Sequence, residues 1–248
     1  MRRPILLALG LAALATAPVV LGFVAWPTPG ARAAHLGPAL THKRVVKPAR
    51  PAGSLVAWVV PGRRIAIRNA PSGRIVAWAG SRTEFGSPQS LPVVRKRADW
   101  LAVKTTELPN GRAGWVDPTA GGLRYSLARV SLAVDLSRRL LEVKRGTRVL
   151  RRIHVAVGRA GSSTPTGRFS ITDKLPGSRY GSYFGCCILA LSGHQPNLPP
   201  GWTGGDRLAI HGGSTTGAVS AGCLHAGEGD LDYLMRTVRL GTQVLIHD

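Results

Sequence analysis

Hydrophobic positions change their rhythm several times along the chain. Pro4 to Trp26 carries no charge and is mostly Leu, Ala and Val. His35 to Gly53 is rich in Pro, Ala, Lys and Arg and has no period, which predicts a disordered linker over 34–54. From Leu55 to about Pro118 short apolar runs alternate with turn signals. Val56-Ala57-Trp58-Val59-Val60 stops at Pro61-Gly62, and Ile65-Ala66-Ile67 stops at Asn69-Ala70-Pro71-Ser72-Gly73. Ile75 to Trp78, Leu91 to Val94, Trp100 to Val103 and Gly114 to Val116 follow, with a hairpin signal at Asn110-Gly111. Five or six short strands at this spacing predict a small barrel over 55–118. In so small a domain Trp100 and Trp115 read as core. Thr119 to Ala128, with Gly121-Gly122, reads as a linker.

A second β pattern fills 129–248. Val130, Leu132 and Val134 alternate, Leu140 to Val143 returns, and Ile153, Val155 and Val157 alternate into Gly158. Pro165 and Gly167 fix a turn that delivers Phe169 and Ile171 into a strand. Lys174 to Asp206 is rich in Gly, Pro and Ser and carries Tyr180, Tyr183, Phe184 and Trp202; it reads as a long loop, functional or disordered, with a strand at Ile188 to Leu191. Leu231, Leu234, Met235 and Val238 recur at helical spacing behind a Gly229-Asp230 cap, with Arg236 and Arg239 in the last turn and Gly241 ending the helix. Val244 and Ile246 make a last strand. The fold class is therefore mainly β: a small barrel, then a β-rich domain with one short helix near the C-terminus.

Candidate chemistry sits between this loop and the helix. Leu208 and Ile210 alternate with smaller neighbours, so the strand delivers His211 at its end, and Gly212-Gly213 lets the backbone turn sharply. The return segment ends Ser220-Ala221-Gly222-Cys223-Leu224-His225. A nucleophilic Cys needs a base within hydrogen-bond reach and a donor for the developing oxyanion. His211 supplies the base. The backbone N–H of Cys223, with that of Gly222 or a neighbour, supplies the donor. A Cys beside an imidazole is expected to have a lowered pKa. Against this stands the ordinary role of a lone Cys as a small core residue.

The full string resembles the L,D-transpeptidase catalytic domain (the YkuD-like family). Its pattern is His-Gly, a short loop, then Ser/Thr-His-Gly-Cys-hydrophobe-Arg/Asn. Ser220, Gly222, Cys223 and Leu224 match, while Ala221 stands where the family often has His and His225 where it often has Arg. Thr164-Pro165-x-Gly167-x-Phe169 matches a second family string. Upstream, Arg68-x-x-Pro71-x-Gly73, Trp100-Leu101-x-Val103 and Gly111-Arg112-x-Gly114-Trp115-Val116 resemble a bacterial Src-homology-3-like domain, a type that often binds peptides or wall fragments.

The transpeptidase resemblance implies peptidoglycan stem peptides as substrate and makes Lys174 to Asp206 the lid over the active-site cleft. Cys223 would be the nucleophile and His211 the general base and acid, the latter oriented by a backbone carbonyl at Gly212. Gly222, Ser220 and Gly212 would support the oxyanion and the pocket, although Ser220 could equally satisfy local backbone. His225 would lie in the substrate pocket. Neither a metal nor a cofactor is implied. Water in place of an acceptor amine would give a carboxypeptidase or endopeptidase at the same site. A non-catalytic wall-binding protein is a third reading.

Charge and cysteine count narrow the setting. Lys and Arg number 33 against 12 Asp and Glu, a net charge of +21. The excess suits a polyanion, either nucleic acid or the anionic polymers of a bacterial wall. The basic residues are scattered, and no nucleic-acid motif accompanies them. Arg2-Arg3, the apolar run 4–26, Pro27-Thr28-Pro29-Gly30 and Ala31-Arg32-Ala33 read as an export leader over 1–33. Residues 4–26 are also long enough to anchor the chain in a membrane if uncleaved. Either way the chain is expected in the cell envelope, wall or medium, without nucleic acid as partner. Of three cysteines, Cys186 and Cys187 are adjacent, where a bond demands a strained geometry. They read as packing residues, and Cys223 as the free thiol.

Overall fold

The computed structural model describes residues 53–248. The expected leader and all but the last two residues of the expected linker lie outside the described residues. No helix among the described residues is long and apolar enough to cross a membrane.

Two large sheets account for most of the fold. The first contains β1 (Ser54–Val59), β2 (Ile65–Arg68), β3 (Ile75–Ala79), β4 (Ser90–Arg97), β5 (Trp100–Val103), β6 (Gly114–Val116) and β7 (Leu123–Ala128), in the order β3-β2-β6-β5-β4-β1-β7. Every pairing is antiparallel. Alternation along these strands buries Ala57, Val59, Ile67, Leu91, Val103 and Val116 in a core of their own. Trp115 is buried, but Trp100 is only half-buried and Trp78 lies exposed.

Residues 119–128, expected as a linker, do not form one. A short 3-10 turn at Pro118–Ala120 leads into β7, which pairs with β1 from Ser54↔Ala128 to Val59↔Leu123. The turn-rich Gly121-Gly122 hides the strand behind it. The free edge of β1 then supplies the backbone partners that β7 needs.

The second sheet begins with an antiparallel meander, β8 (Ser131–Asp135), β9 (Leu140–Arg145) and β10 (Arg148–His154). It continues through β12 (Gly167–Pro176), β13 (Cys187–His194), β14 (Arg207–His211), β16 (Leu224–His225) and β17 (Gln243–His247), in the order β10-β9-β8-β17-β12-β13-β14-β16. β11 (Val157–Gly158) and β15 (Ala218–Ser220) pair separately, in parallel. Helix α1 (Glu228–Thr237) turns Leu231 and Leu234 into the core with Leu132, Leu189, Ile210 and Leu224.

Two boundaries differ from the sequence expectation. The helix starts earlier, at Glu228 behind Gly227, and no side chain caps it. Asp230 lies inside the first turn, where a carboxylate suits the helix dipole. The lid is also shorter, because β12 runs on to Pro176 and β13 begins at Cys187. What remains is a compact lid, residues 177–186, and a second loop, 195–206. Lys174 belongs to β12, and its ammonium donates to the Met235 and Val238 carbonyls at the end of α1.

The N-terminal sheet touches the second one beside this lid. Thr83 Oγ1 donates to Asp173 Oδ1 at 2.5 Å, and Arg207 Nη1 to Glu84 Oε1 at 2.5 Å. The Asn110 side-chain amide donates to His194 O at 2.6 Å and accepts from His194 N at 2.9 Å, while the His194 ring contacts Thr106 O and Asp206.

Candidate active site

β14 and β16 run parallel with Ile210 opposite Leu224 and His211 opposite His225. That register places two imidazoles side by side, their centroids 4.6 Å apart. His211 is almost fully buried. Its Nδ1 lies 2.8 Å from Gly212 O. A carbonyl only accepts, so Nδ1 carries the ring proton and Nε2 presents its lone pair. The same logic fixes His225, whose Nδ1 donates to Ser214 O at 3.0 Å. Its Nε2 then accepts from the Tyr183 hydroxyl at 3.3 Å.

The lid seals this pair from above. Phe184 packs on His211 with centroids 4.9 Å apart, and Tyr183 lies 5.6 Å from His211 and 5.7 Å from His225. Gly212 N donates to Phe184 O at 2.9 Å, and Cys186 N to Glu228 Oε2 at 3.0 Å, so the lid is pinned at the C-terminal end of its aromatic segment. Tyr183 and Phe184 stood in the sequence as aromatics in a Gly-rich loop; nothing there aimed them at the histidines.

Cys223 lies half-buried just before β16 and is the free cysteine among the described residues. Cys186 and Cys187, expected as unlinked packing residues, form a disulfide with each other. They stand where the lid turns into β13, a bend that brings the two sulfurs onto the same side. Cys223 packs in a small apolar cluster with Leu175, Ile188, Ala209, Phe85 and Phe184. Its thiol donates to Arg207 O, a long contact of 4.0 Å, rather than to an imidazole.

Electrostatics at rest run opposite to the lowered thiol pKa expected from sequence. Burial pushes the Cys223 thiol up to about 11. Burial, and then the charge of His225, push His211 down to about 4. His225 is also lowered, again mainly by burial. Near neutral pH the resting site is a neutral thiol beside a neutral imidazole, since the lid and the apolar cluster remove the water that would stabilise either charge.

The turn that carries Cys223 is tightly bonded. Gly222 N donates to Ser220 Oγ at 3.0 Å, and Ser220 Oγ donates to Cys223 O at 2.6 Å. Ser220 therefore serves local backbone. The N–H groups of Gly222 and Gly212 are both committed, so neither is free to meet an oxyanion as the sequence suggested. The Cys223 N–H has no protein acceptor among the described residues.

A cavity of about 580 Å³ opens onto Cys223, His211, His225 and Ser220. Tyr180, Tyr183, Phe184 and Trp202 give it aromatic walls, and Glu84 and Phe85 of the N-terminal sheet complete the rim. Among the described residues no group of three or more His, Cys, Asp or Glu is placed to hold a metal ion.

Residues 129–246, just under half of the chain, match the family model of the L,D-transpeptidase catalytic domain, YkuD. The chain is similar to several solved structures, among them Bdellovibrio bacteriovorus Bd1075, at 22% identity over 49% of this chain and 48% of that one, TM-score 0.39. A mutant of the Enterococcus faecium L,D-transpeptidase is 18% identical over 48% of this chain and 50% of that one, TM-score 0.37. An L,D-transpeptidase from Mycobacterium smegmatis is 15% identical over 77% and 93%, TM-score 0.40. The chain spans about half the length of the first two. No curated protein matches it.

Proposed function

We propose that the protein is a cysteine L,D-transpeptidase that crosslinks peptidoglycan stem peptides outside the cytoplasm. The observation that carries this reading is the tautomer of His211. Its Nδ1–H is held by Gly212 O, so its Nε2 is an unprotonated base in the cavity shared with the free thiol of Cys223.

In this reading His211 Nε2 takes the thiol proton as sulfur attacks the carbonyl between the L-centre of the diamino acid and the terminal D-alanine. With the thiol at about 11 and the imidazole at about 4, a preformed ion pair is strongly disfavoured. Proton transfer therefore accompanies attack. The Cys223 N–H meets the developing oxyanion. His211 passes its proton to the departing D-alanine amine and leaves a thioester on Cys223. The side-chain amine of a second stem then attacks, His211 removes a proton from it, and the sulfur regains that proton as the crosslink is released. His225 stands in the pocket wall and holds the Tyr183 hydroxyl, and so takes part in closing the lid rather than in proton transfer.

The N-terminal sheet is read as Src-homology-3-like. It forms part of the cleft rim through Glu84 and Phe85, and the +21 charge of the chain favours contact with anionic wall polymers. Incubating the purified protein with a disaccharide tetrapeptide and an amine acceptor tests the reading. Crosslinked dimer with release of D-alanine is expected; release of D-alanine without dimer would make the protein a hydrolase.

A further inference from the structure

We infer that Gln195 is a positioning residue for the nucleophile: its buried side-chain amide holds the Ala221 carbonyl and thereby aims the Cys223 N–H into the cleft. The inference rests on the acyl-transfer reading above, in that an oxyanion must form beside Cys223.

Gln195 follows β13 directly and is 4% exposed. Its backbone N–H is anchored on Asp206 O at 2.7 Å. Its Nε2 donates to Ala221 O at 3.0 Å, Ser163 O at 3.1 Å and Ser162 O at 3.2 Å, while its Oε1 accepts from Asn197 N at 3.0 Å. Reversing the amide would set its oxygen against three carbonyl oxygens, so the donor end is fixed by chemistry. One side chain thus ties the segment ahead of the Thr164-Pro165 string to the turn ahead of Cys223, two stretches far apart in sequence.

The effect on the turn follows bond by bond. The peptide unit between Ala221 and Gly222 is held at its carbonyl by Gln195 and at its N–H by Ser220 Oγ. The Cys223 carbonyl is held by the same hydroxyl. Three groups of the turn are therefore committed, and of the two left between them, the Gly222 carbonyl and the Cys223 N–H, only the N–H can donate to substrate. Gly222 adopts φ +120°, and a Cβ there would come within 1.9 Å of Gln195 Nε2. The glycine before the nucleophile is thus required by Gln195 as well as by backbone conformation.

An oxyanion donor contributes only if it is aimed before the reaction, and removal of one such donor costs roughly a hundred- to a thousandfold. Loosening its aim should cost less, about ten- to a hundredfold. The test compares two reactions at Cys223 in the full chain. Acylation by p-nitrophenyl acetate passes through an oxyanion, whereas alkylation by iodoacetamide does not. Gln195→Met should lower ester acylation about ten- to a hundredfold while alkylation changes less than about threefold. With the tetrapeptide the loss should fall on kcat, with KM nearly unchanged. Gly222→Ala, which presses on the same amide, should act alike, and the double variant should be no worse than the worse single one. This second variant carries the test if Gln195→Met does not fold. Acylation and alkylation falling together, acylation unchanged, or additive losses would each overturn the inference. So would a parent protein that the ester does not acylate. A parent acylated by the ester but not by tetrapeptide would instead remove the peptidoglycan reading and leave the role of Gln195 standing.

Discussion

Glu84 of the N-terminal sheet accepts a 2.5 Å hydrogen bond from Arg207, four residues before His211 on the same strand. The Arg207 guanidinium also donates to Thr172 Oγ1 and Leu191 O and lies over the Phe85 ring. Its carbonyl receives the Cys223 thiol. One arginine therefore joins the N-terminal sheet, the strand that carries His211, and Cys223.

This coupling predicts that the N-terminal sheet is not a detachable tether. Thr83→Ala removes the donor to Asp173, a fully buried carboxylate whose Oδ2 has no protein partner among the described residues. A loss of about 1–3 kcal/mol in urea unfolding is expected, with both sheets unfolding in one transition. Two separate transitions, the first unaffected by the substitution, would show that the sheets fold independently.

Acid and alkali should act through different groups. His211 is lowered from 6.5 to about 4 in the folded protein. Between those values the unfolded chain binds more protons, so stability falls as pH drops from about 6.5 toward 4; the lowered His225 adds to the same limb. Cys223 is raised from 9.0 to about 11, so above pH 9 the unfolded thiol ionises first and stability falls again. Melting temperature against pH should trace both limbs. In the native protein Cys223 alkylation should keep rising beyond pH 9; a plateau near pH 8 would mean a lowered thiol pKa and a preformed ion pair.

Thiol counting tests the lid. With Cys186 and Cys187 bonded, protein denatured without reductant should take up one alkyl group, on Cys223, and with reductant three. Three groups without reductant would mean that the pair is not joined.

Much of this was legible in the sequence because burial leaves a periodic trace. The strands at Leu132-Val134, Phe169-Ile171 and Leu208-Ile210 showed it, and so did the helix at Leu231 and Leu234. His211 and Cys223 line one cavity, and in the sequence it was the resemblance of the whole string to the family pattern that paired them. Contacts between distant segments were not legible. Gln195 fell unremarked in the loop 174–206, Glu84 and Phe85 between the strands expected at Ile75 to Trp78 and Leu91 to Val94, and β7 in an expected linker, since each acquires its role only from a partner remote in the chain. The pKa of Cys223 was read with the wrong sign because the imidazole was visible in sequence and the apolar cluster around the sulfur was not.

The central claim is that Cys223 carries the acyl group and His211 is its base. Intact-protein mass spectrometry after mixing with a tetrapeptide ending in D-alanine tests it most directly. A mass increase equal to the stem minus D-alanine is predicted, mapping to Cys223 and absent in Cys223→Ala. In His211→Ala the adduct should form roughly a hundred to ten thousand times more slowly. No adduct on the parent protein, an adduct on another residue, or His211→Ala reacting at the parental rate would contradict the account.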